Sequence, residues 1–460
     1  MTDPPRPARH VHIVGIGGSI MSAIARLLSA GGWRVSGSDQ QDSEALRALA
    51  AEGIEVFVGH EARHLAADVT WVAHSSAVGA ANPELAAARA RGLRISKRDE
   101  VLGEIVNAGR GLAVAGTHGK TTTSGLAACL LTEAGLDPTF LVGSVLTNYA
   151  TNCRAGRGDW IVVEADEYDR AFLTLHPQIA IVTNVESDHP DIYADFADYV
   201  ATFRQFVAGL APGGLLLLGA DCPTAPSLAA DAPVRVQTYG LAPGSDWRVS
   251  AVDQAGGAVS FDLTAPDRQT VRVATALAGR HNAVNAAGAI AAAVEAGVPL
   301  GRAAELAGRF VGTQRRFERL IDRGGILVVD DYAHHPTEVR ATIAAARALG
   351  RRLRVVFEPH QFARTAALLE HYAGAFDEAD ETLLCDIYRA RETDTHGVDS
   401  QRLADIAGGA GHQVFYVGTH DTAFERLTTT AGPSEVWLVM GAGDVTGLAH
   451  RLAQWVSAQR

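Results

Sequence analysis

Twice within the first 125 residues an apolar run stops at a glycine turn and restarts as a helix-length segment. The first instance, "VHIVGIGGSIMSAIARLLSAGGWRVSGSDQ", reads as strand, turn at Gly15, Gly17 and Gly18, amphipathic helix, glycine stop, and a second strand closing at Asp39. That is a βαβ opening of dinucleotide-fold type. The second, "GLAVAGTHGKTTTSGLAACLLTEAG", repeats the strand–turn–helix order. Further apolar runs follow: "WIVVEADE", "IAIVTNVESDH" and "GGLLLLGAD", then "GGILVVDDYAHHP", "LRVVFEPH", "ETLLCDIY", "HQVFYVG" and "EVWLVMGAGD". Strands apolar on both faces and separated by helices imply mostly parallel sheets covered on both sides. The expected fold class is α/β in three domains: an N-terminal Rossmann-like domain (1–107), a central P-loop-type domain with a mostly parallel sheet (108–319), and a C-terminal Rossmann-like domain (320–460).

The second turn is a shortened phosphate loop. The strict pattern G-x-x-x-x-G-K-[ST] fails because Val114 stands at its first glycine, leaving Gly116, Thr117, His118, Gly119, Lys120 and Thr121, with Thr122 next in the helix. The physics needs a strand, a turn with free N–H groups, a lysine, a hydroxyl for Mg²⁺ and a helix N-terminus facing the anion. All are present. The glycines at 15, 17 and 18 form a second phosphate candidate, although the third glycine of a G-x-G-x-x-G is Ile20. Asp39 takes the place where an acid meets a ribose hydroxyl.

Composition limits the partners. Acidic residues outnumber basic ones 52 to 40, a net charge of −12, which argues against a broad grip on nucleic acid or an anionic membrane. Polyanionic ligands must then be held locally. Cys129, Cys153, Cys222 and Cys385 lie far apart without metal spacing, as suits a reducing cytoplasm. The N-terminus lacks the apolar run of a signal peptide, and "NAVNAAGAIAAAVEAG" is too short to span a bilayer. A cytoplasmic monomer or homodimer without membrane insertion is expected.

In open α/β sheets ligands collect beyond the carboxyl ends of the strands. That rule selects Glu164, Asp166, Asn184, Asp188 and His189 beside the loop. Residue chemistry leaves two readings of "EADEYD", as Mg²⁺ ligands or as a solvated strand end. Imidazole is not a preferred Mg²⁺ ligand, so His189, His334, His335 and His360 stay open between structural and catalytic roles. Arg315, Arg316 and Arg364 are cations at domain or strand edges.

The ordered set "GIGG", "SSAV", "AGTHGKTTT", "EADEYDRAFL", "TNVESDHPDIY", "GRHNAVNAAGA", "QRRFERL", "DDYAHHPTE", "EPHQFART" and "GAGDV" resembles the Mur ligases over nearly the whole chain. The likeness is greatest to the branch that joins L-alanine to UDP-N-acetylmuramate in peptidoglycan precursor synthesis, a step on which cell-wall growth, shape and division depend. That family uses just such a shortened loop. The resemblance implies ATP and Mg²⁺, with an acyl phosphate between carboxylate and amide. By resemblance Lys120 holds the β/γ-phosphates, Thr121 and Glu164 bind one Mg²⁺, and His189 serves a second. Asn282 and Asn285 resemble adenine-side residues, Arg316 a phosphate-stabilising arginine, and Asp331 a nucleotide contact from the third domain. Tyr332, His334, His360 and Arg364 would face the amino acid, and Gly15, Gly17, Gly18, Asp39 and Ser75 the UDP-sugar.

The chain departs from the family pattern at Ile20 in place of a glycine, at Pro190 after His189, and at Gln361 where some members have arginine. Where sister ligases place a carbamylated lysine, this chain has Phe203. Two other readings remain: a recycling ligase that takes a ready-made tripeptide, and a nicotinamide-dependent dehydrogenase suggested by the first domain alone.

Overall fold

A computed structural model describes residues 9–408 and 413–459. It contains three sheets. The first has five parallel strands in the order Glu55–Val58, Arg34–Asp39, His10–Val14, Trp71–His74, Arg94–Lys97. The order reverses between His10–Val14 and Trp71–His74, which opens a crevice at their carboxyl ends. Gly15 and Ser75 face each other there. A Cβ on Gly15, whose φ is +79, would stand 3.0 Å from that of Ser75.

The central sheet has ten strands. Arg110–Ala115 lies in its middle, parallel to Trp160–Glu164 on one side and Ile179–Val182 on the other. The helices Lys120–Glu133 and Arg280–Glu295 pack side by side against it, and their Ala and Gly residues permit the close approach. The polar β-rich passage forms Trp247–Ala255, Ala258–Thr264 and Thr270–Ala274, which extend one edge; the first pairs parallel with Arg235–Gly240, and the other two add antiparallel.

The third sheet runs Glu318–Arg323, Ile326–Asp331, Glu435–Met440, Arg352–Phe357, Glu381–Cys385, Val414–Gly418, parallel except for its first pair. Its first strand crosses the expected boundary at 319/320, because the antiparallel ladder with Ile326–Asp331 begins at Glu318.

The cores are not divided three ways. Ile13, Ile24 and Leu28 of the first unit share one buried cluster with Leu141, Val163 and Phe172 of the central unit, whereas the third unit encloses its own clusters. The first two units therefore form one apolar body, and the third meets it across polar contacts. No helix among the described residues is long and apolar enough to cross a membrane.

Candidate active site

Two neighbouring cavities lie where the units meet. One of about 380 Å³ is bounded by the phosphate loop, the start of Arg280–Glu295 and the third unit. The other, of about 680 Å³, reaches all three units. Thr121, Arg316 and Glu338 line both, so these residues stand at the passage between them.

The loop is built as its sequence requires. Gly116 (φ +129) admits no side chain, since a Cβ would come within 2.0 Å of Thr183 Oγ1. Gly119 (φ +80) lies against Asn285, leaving 2.6 Å from a Cβ to its Oδ1. The next residue, Lys120, begins the helix, so free N–H groups and the positive end of the helix dipole face the passage. Around the first cavity stand His118, Gly119, Thr122, Asn282, Asn285 and Asp331. Asn282 Nδ2 donates to Ala278 O at 2.6 Å, and Asn285 Nδ2 to Asn282 Oδ1 at 2.9 Å, which fixes both amides. Asp331 accepts from the N–H groups of Phe317 and Ala333 at 2.6 and 2.8 Å. Burial pushes its carboxyl up to about 6.

Lys120, Thr117, Glu164, His189, Tyr332, His334, His360 and Arg364 line the second cavity. Thr121 Oγ1 donates to Glu164 Oε1 at 3.1 Å, and Gly143 N to Glu164 Oε2 at 2.8 Å. Burial raises the Glu164 carboxyl, partly offset by Lys120 and Arg316. A hydroxyl and a carboxylate supply the hard oxygen donors that Mg²⁺ prefers, so this pair fits the ion. His189 is a softer donor, and both of its ring nitrogens have neighbours: Nε2 lies 3.3 Å from Glu167 Oε1, and Nδ1 3.2 Å from Arg364 Nη2. Burial alone would lower its pKa, but Asp188 and Glu167 hold it above the ordinary value. His334 and His360 are pulled the other way, to about 3 and about 4, chiefly by burial. Both are neutral at pH 7.

Arg316 makes no side-chain hydrogen bond among the described residues. Its guanidinium carbon sits 5.1 Å from the Tyr332 ring centroid, open to both cavities. Arg364 is engaged through each of its three guanidinium nitrogens, by Asp188, His360 and His189. Gly15, Gly17, Gly18, Asp39 and Ser75 line neither cavity. They gather at the carboxyl edge of the first sheet, where Gly17 N donates to Asp39 Oδ2 at 2.9 Å, while Ser19 and Ile20 lead on into the second cavity. Phe203 is fully buried, 5.1 Å from the ring of Phe172 and 5.2 Å from that of Tyr199.

Two carboxylates escaped the sequence reading. Glu167, inside "EADEYD", pairs with Lys120 at 2.9 Å. Glu338, four residues after His334, lies 3.1 Å from His118 Nδ1 and lines both cavities. Burial alone would lower His118, yet Glu338 and Glu186 lift it to about 9. His118, Glu186 and His335 present ligand atoms within 4.8 Å of one another.

Comparison with known proteins assigns this architecture. Family profiles match along the chain in order: the Mur ligase family catalytic domain over residues 10–110, the middle domain over 114–293, and the glutamate ligase domain over 315–443. A UDP-N-acetylmuramate–L-alanine ligase of Symbiobacterium thermophilum is 44% identical, covering 97% of this chain and 94% of its own length. The chain belongs to the Mur ligase family. An Anaeromyxobacter relative of the same name is 42% identical over 97% of both chains. Among solved structures, a UDP-N-acetylmuramate-alanine ligase from Thermotoga maritima superposes with TM-score 0.80 at 25% identity, covering 98% of this chain and all of its own. A murein peptide ligase from Psychrobacter arcticus gives 0.71 at 27% identity, covering 98% and 100%. The three-domain α/β expectation is met by this Mur ligase, whose sheets are mostly parallel.

Proposed function

We propose that this Mur ligase joins L-alanine to the carboxylate of UDP-N-acetylmuramate at the expense of ATP, as a cytoplasmic step of peptidoglycan precursor synthesis. The observation that supports it most is the passage at Thr121 and Arg316, where a nucleotide-sized cavity opens beside the phosphate loop onto a second cavity lined by all three units. ATP would lie in the first, its terminal phosphate at the passage. The muramoyl carboxylate and the amino acid would meet it from the second.

A carboxylate is ionised at neutral pH and is a poor electrophile. Its oxygen attacks the γ-phosphorus, the β–γ bridging bond breaks, and ADP leaves with the electron pair. The amine of L-alanine, having lost a proton from its ammonium form, then attacks the acyl carbon. The tetrahedral intermediate gives up a second nitrogen proton, both protons passing to solvent, expels phosphate and leaves the amide. Lys120 would hold the β/γ-phosphates, and Arg316, with no competing hydrogen bond, would meet the charge that develops on the transferred group. Thr121 and Glu164 would hold one Mg²⁺ and His189 a second; such ions neutralise phosphate charge and polarise the phosphorus. Asn282, Asn285 and Asp331 would set the nucleoside. Neutral His334 and His360, with Tyr332, would shape the amino-acid pocket, and Arg364 would reach its carboxylate on exchanging one of its present partners. The crevice at Gly15, Gly17, Gly18, Asp39 and Ser75 would take the UDP end.

Hydroxylamine trapping tests the intermediate. ATP, Mg²⁺ and UDP-N-acetylmuramate without an amino acid should yield a hydroxamate in wild type and none in Arg316→Ala. Amide formation with no trappable intermediate in wild type would contradict this route.

A further inference from the structure

Lys120 has no donor to spare. An ammonium carries three N–H groups, and its Nζ lies 2.6 Å from Gly116 O, 3.1 Å from Thr117 O and 2.9 Å from Glu167 Oε1. The two carbonyls belong to the loop and move with the lysine. The carboxylate comes from the turn that follows Trp160–Glu164, and it is fully buried. Its Oε1 is shared, 3.3 Å from His189 Nε2 and 3.3 Å from the Tyr199 hydroxyl that donates to it. Its Oε2 is buried with no hydrogen-bond partner among the described residues. A carboxylate buried with one orphaned oxygen is costly unless a cation offsets it, and the nearest is Lys120.

Phosphate oxygens arriving at Lys120 would compete with Glu167 for the same ammonium and carry the same sign of charge. Both cannot keep it on equal terms. We propose that Glu167 is a positioning residue that holds Lys120 while the site is empty, yields it to the nucleotide, and then pairs with His189 alone. This rests on the reading of Lys120 as the phosphate-binding lysine. The exchange reaches further, because His189 Nδ1 meets Arg364 Nη2 at 3.2 Å. One chain of contacts thus runs from Lys120 through Glu167 and His189 to Arg364 of the third unit, and Glu167 is the link that nucleotide binding would change.

The exchange predicts effects of opposite sign. Glu167→Gln keeps the shape but removes the competitor, so ADP binding in Mg²⁺-free buffer should tighten by about tenfold, the scale of one lost charge pair. Turnover with ATP and Mg²⁺ should fall by about a hundredfold, the usual cost of a misplaced group. Glu167→Asp, which keeps the charge, should recover part of the turnover and show no gain in ADP affinity. In a Lys120→Ala background, Glu167→Gln should leave ADP affinity within about twofold, since the coupling runs through the lysine. Weakened or unchanged ADP binding in Glu167→Gln would overturn the exchange, as would an equal gain with the lysine absent. If Lys120→Ala alone left both ADP binding and turnover intact, the phosphate reading itself would fall.

Discussion

Arg364 of the third unit donates from Nε to Asp188 Oδ1 of the central unit at 2.8 Å, and both side chains are 5% exposed. The other two guanidinium nitrogens reach His360 Nδ1 and His189 Nδ1, each at 3.2 Å. One arginine therefore ties His360 of its own unit to Asp188 and His189 of the central unit. The third unit shares no buried apolar cluster with the rest, and this pair joins the His118–Glu338 contact at 3.1 Å and the Thr337 Oγ1–Glu186 Oε2 bond at 2.7 Å as polar ties across that boundary.

Breaking such a pair strands a buried charge. Arg364→Ala and Asp188→Ala should each destabilise by about 3–5 kcal/mol, and the double variant by less than the sum of the two. Thermal melts of the three variants check this. Additive losses would mean that the pair is not coupled.

How much of this was legible beforehand differs by level. Apolar runs stopping at glycine turns announce parallel α/β units, because period and punctuation are local properties. The turn between strand and helix was equally legible, as Gly116 and Gly119 sit where only glycine fits. The partners of Lys120 and Arg364 were not. Glu167 follows its strand through an irregular turn in which Asp169 and Arg170 both take φ of 56, and no repeat tells which acid of "EADEYD" points inward. Asp188 meets Arg364 across 176 residues of chain. The core shared by the first two units was hidden for a similar reason: sequence shows that Ile24 and Leu28 are apolar, not which sheet receives them.

Acid should weaken the body that the first unit shares with the central one. Glu84 is fully buried and touched by Ser38 Oγ at 2.6 Å, His64 Nδ1 at 2.8 Å and His60 Nδ1 at 3.1 Å, with His12 Nε2 at 3.6 Å. Burial alone would raise its pKa, but the contacts with His12, Ser38 and His64 hold it at about 2, below the ordinary 4.5. A depressed carboxyl stabilises fully above its unfolded pKa and loses that contribution as pH falls through the folded one. About 3 kcal/mol should thus disappear between pH 4.5 and about 2. Denaturation followed across that window should be shallower in Glu84→Gln.

Turnover should not depend on bicarbonate. The sequence resemblance implies that Phe203 stands where sister ligases carry a carbamylated lysine, and here it is fully buried against Phe172 and Tyr199. Rates in CO₂-depleted and bicarbonate-supplemented buffer should agree. Phe203→Lys should be unstable rather than bicarbonate-responsive, because a bare ammonium there has no water.

Loss of the Thr121 hydroxyl should weaken Mg²⁺ more than nucleotide. Thr121→Ala removes one oxygen donor and the hydrogen bond that orients Glu164. The Mg²⁺ concentration for half-maximal rate should rise by about 10–100-fold. Mg²⁺ titration at saturating ATP reads this directly, and an unchanged midpoint would remove Thr121 from the metal site.

The most direct test of the whole account is phosphate release from ATP with Mg²⁺ and UDP-N-acetylmuramate, comparing L-alanine, glycine, L-serine and the cell-wall tripeptide as acceptors. Release should be fastest with L-alanine and should vanish in Lys120→Ala. Preference for the tripeptide, or release that survives loss of Lys120, would contradict it.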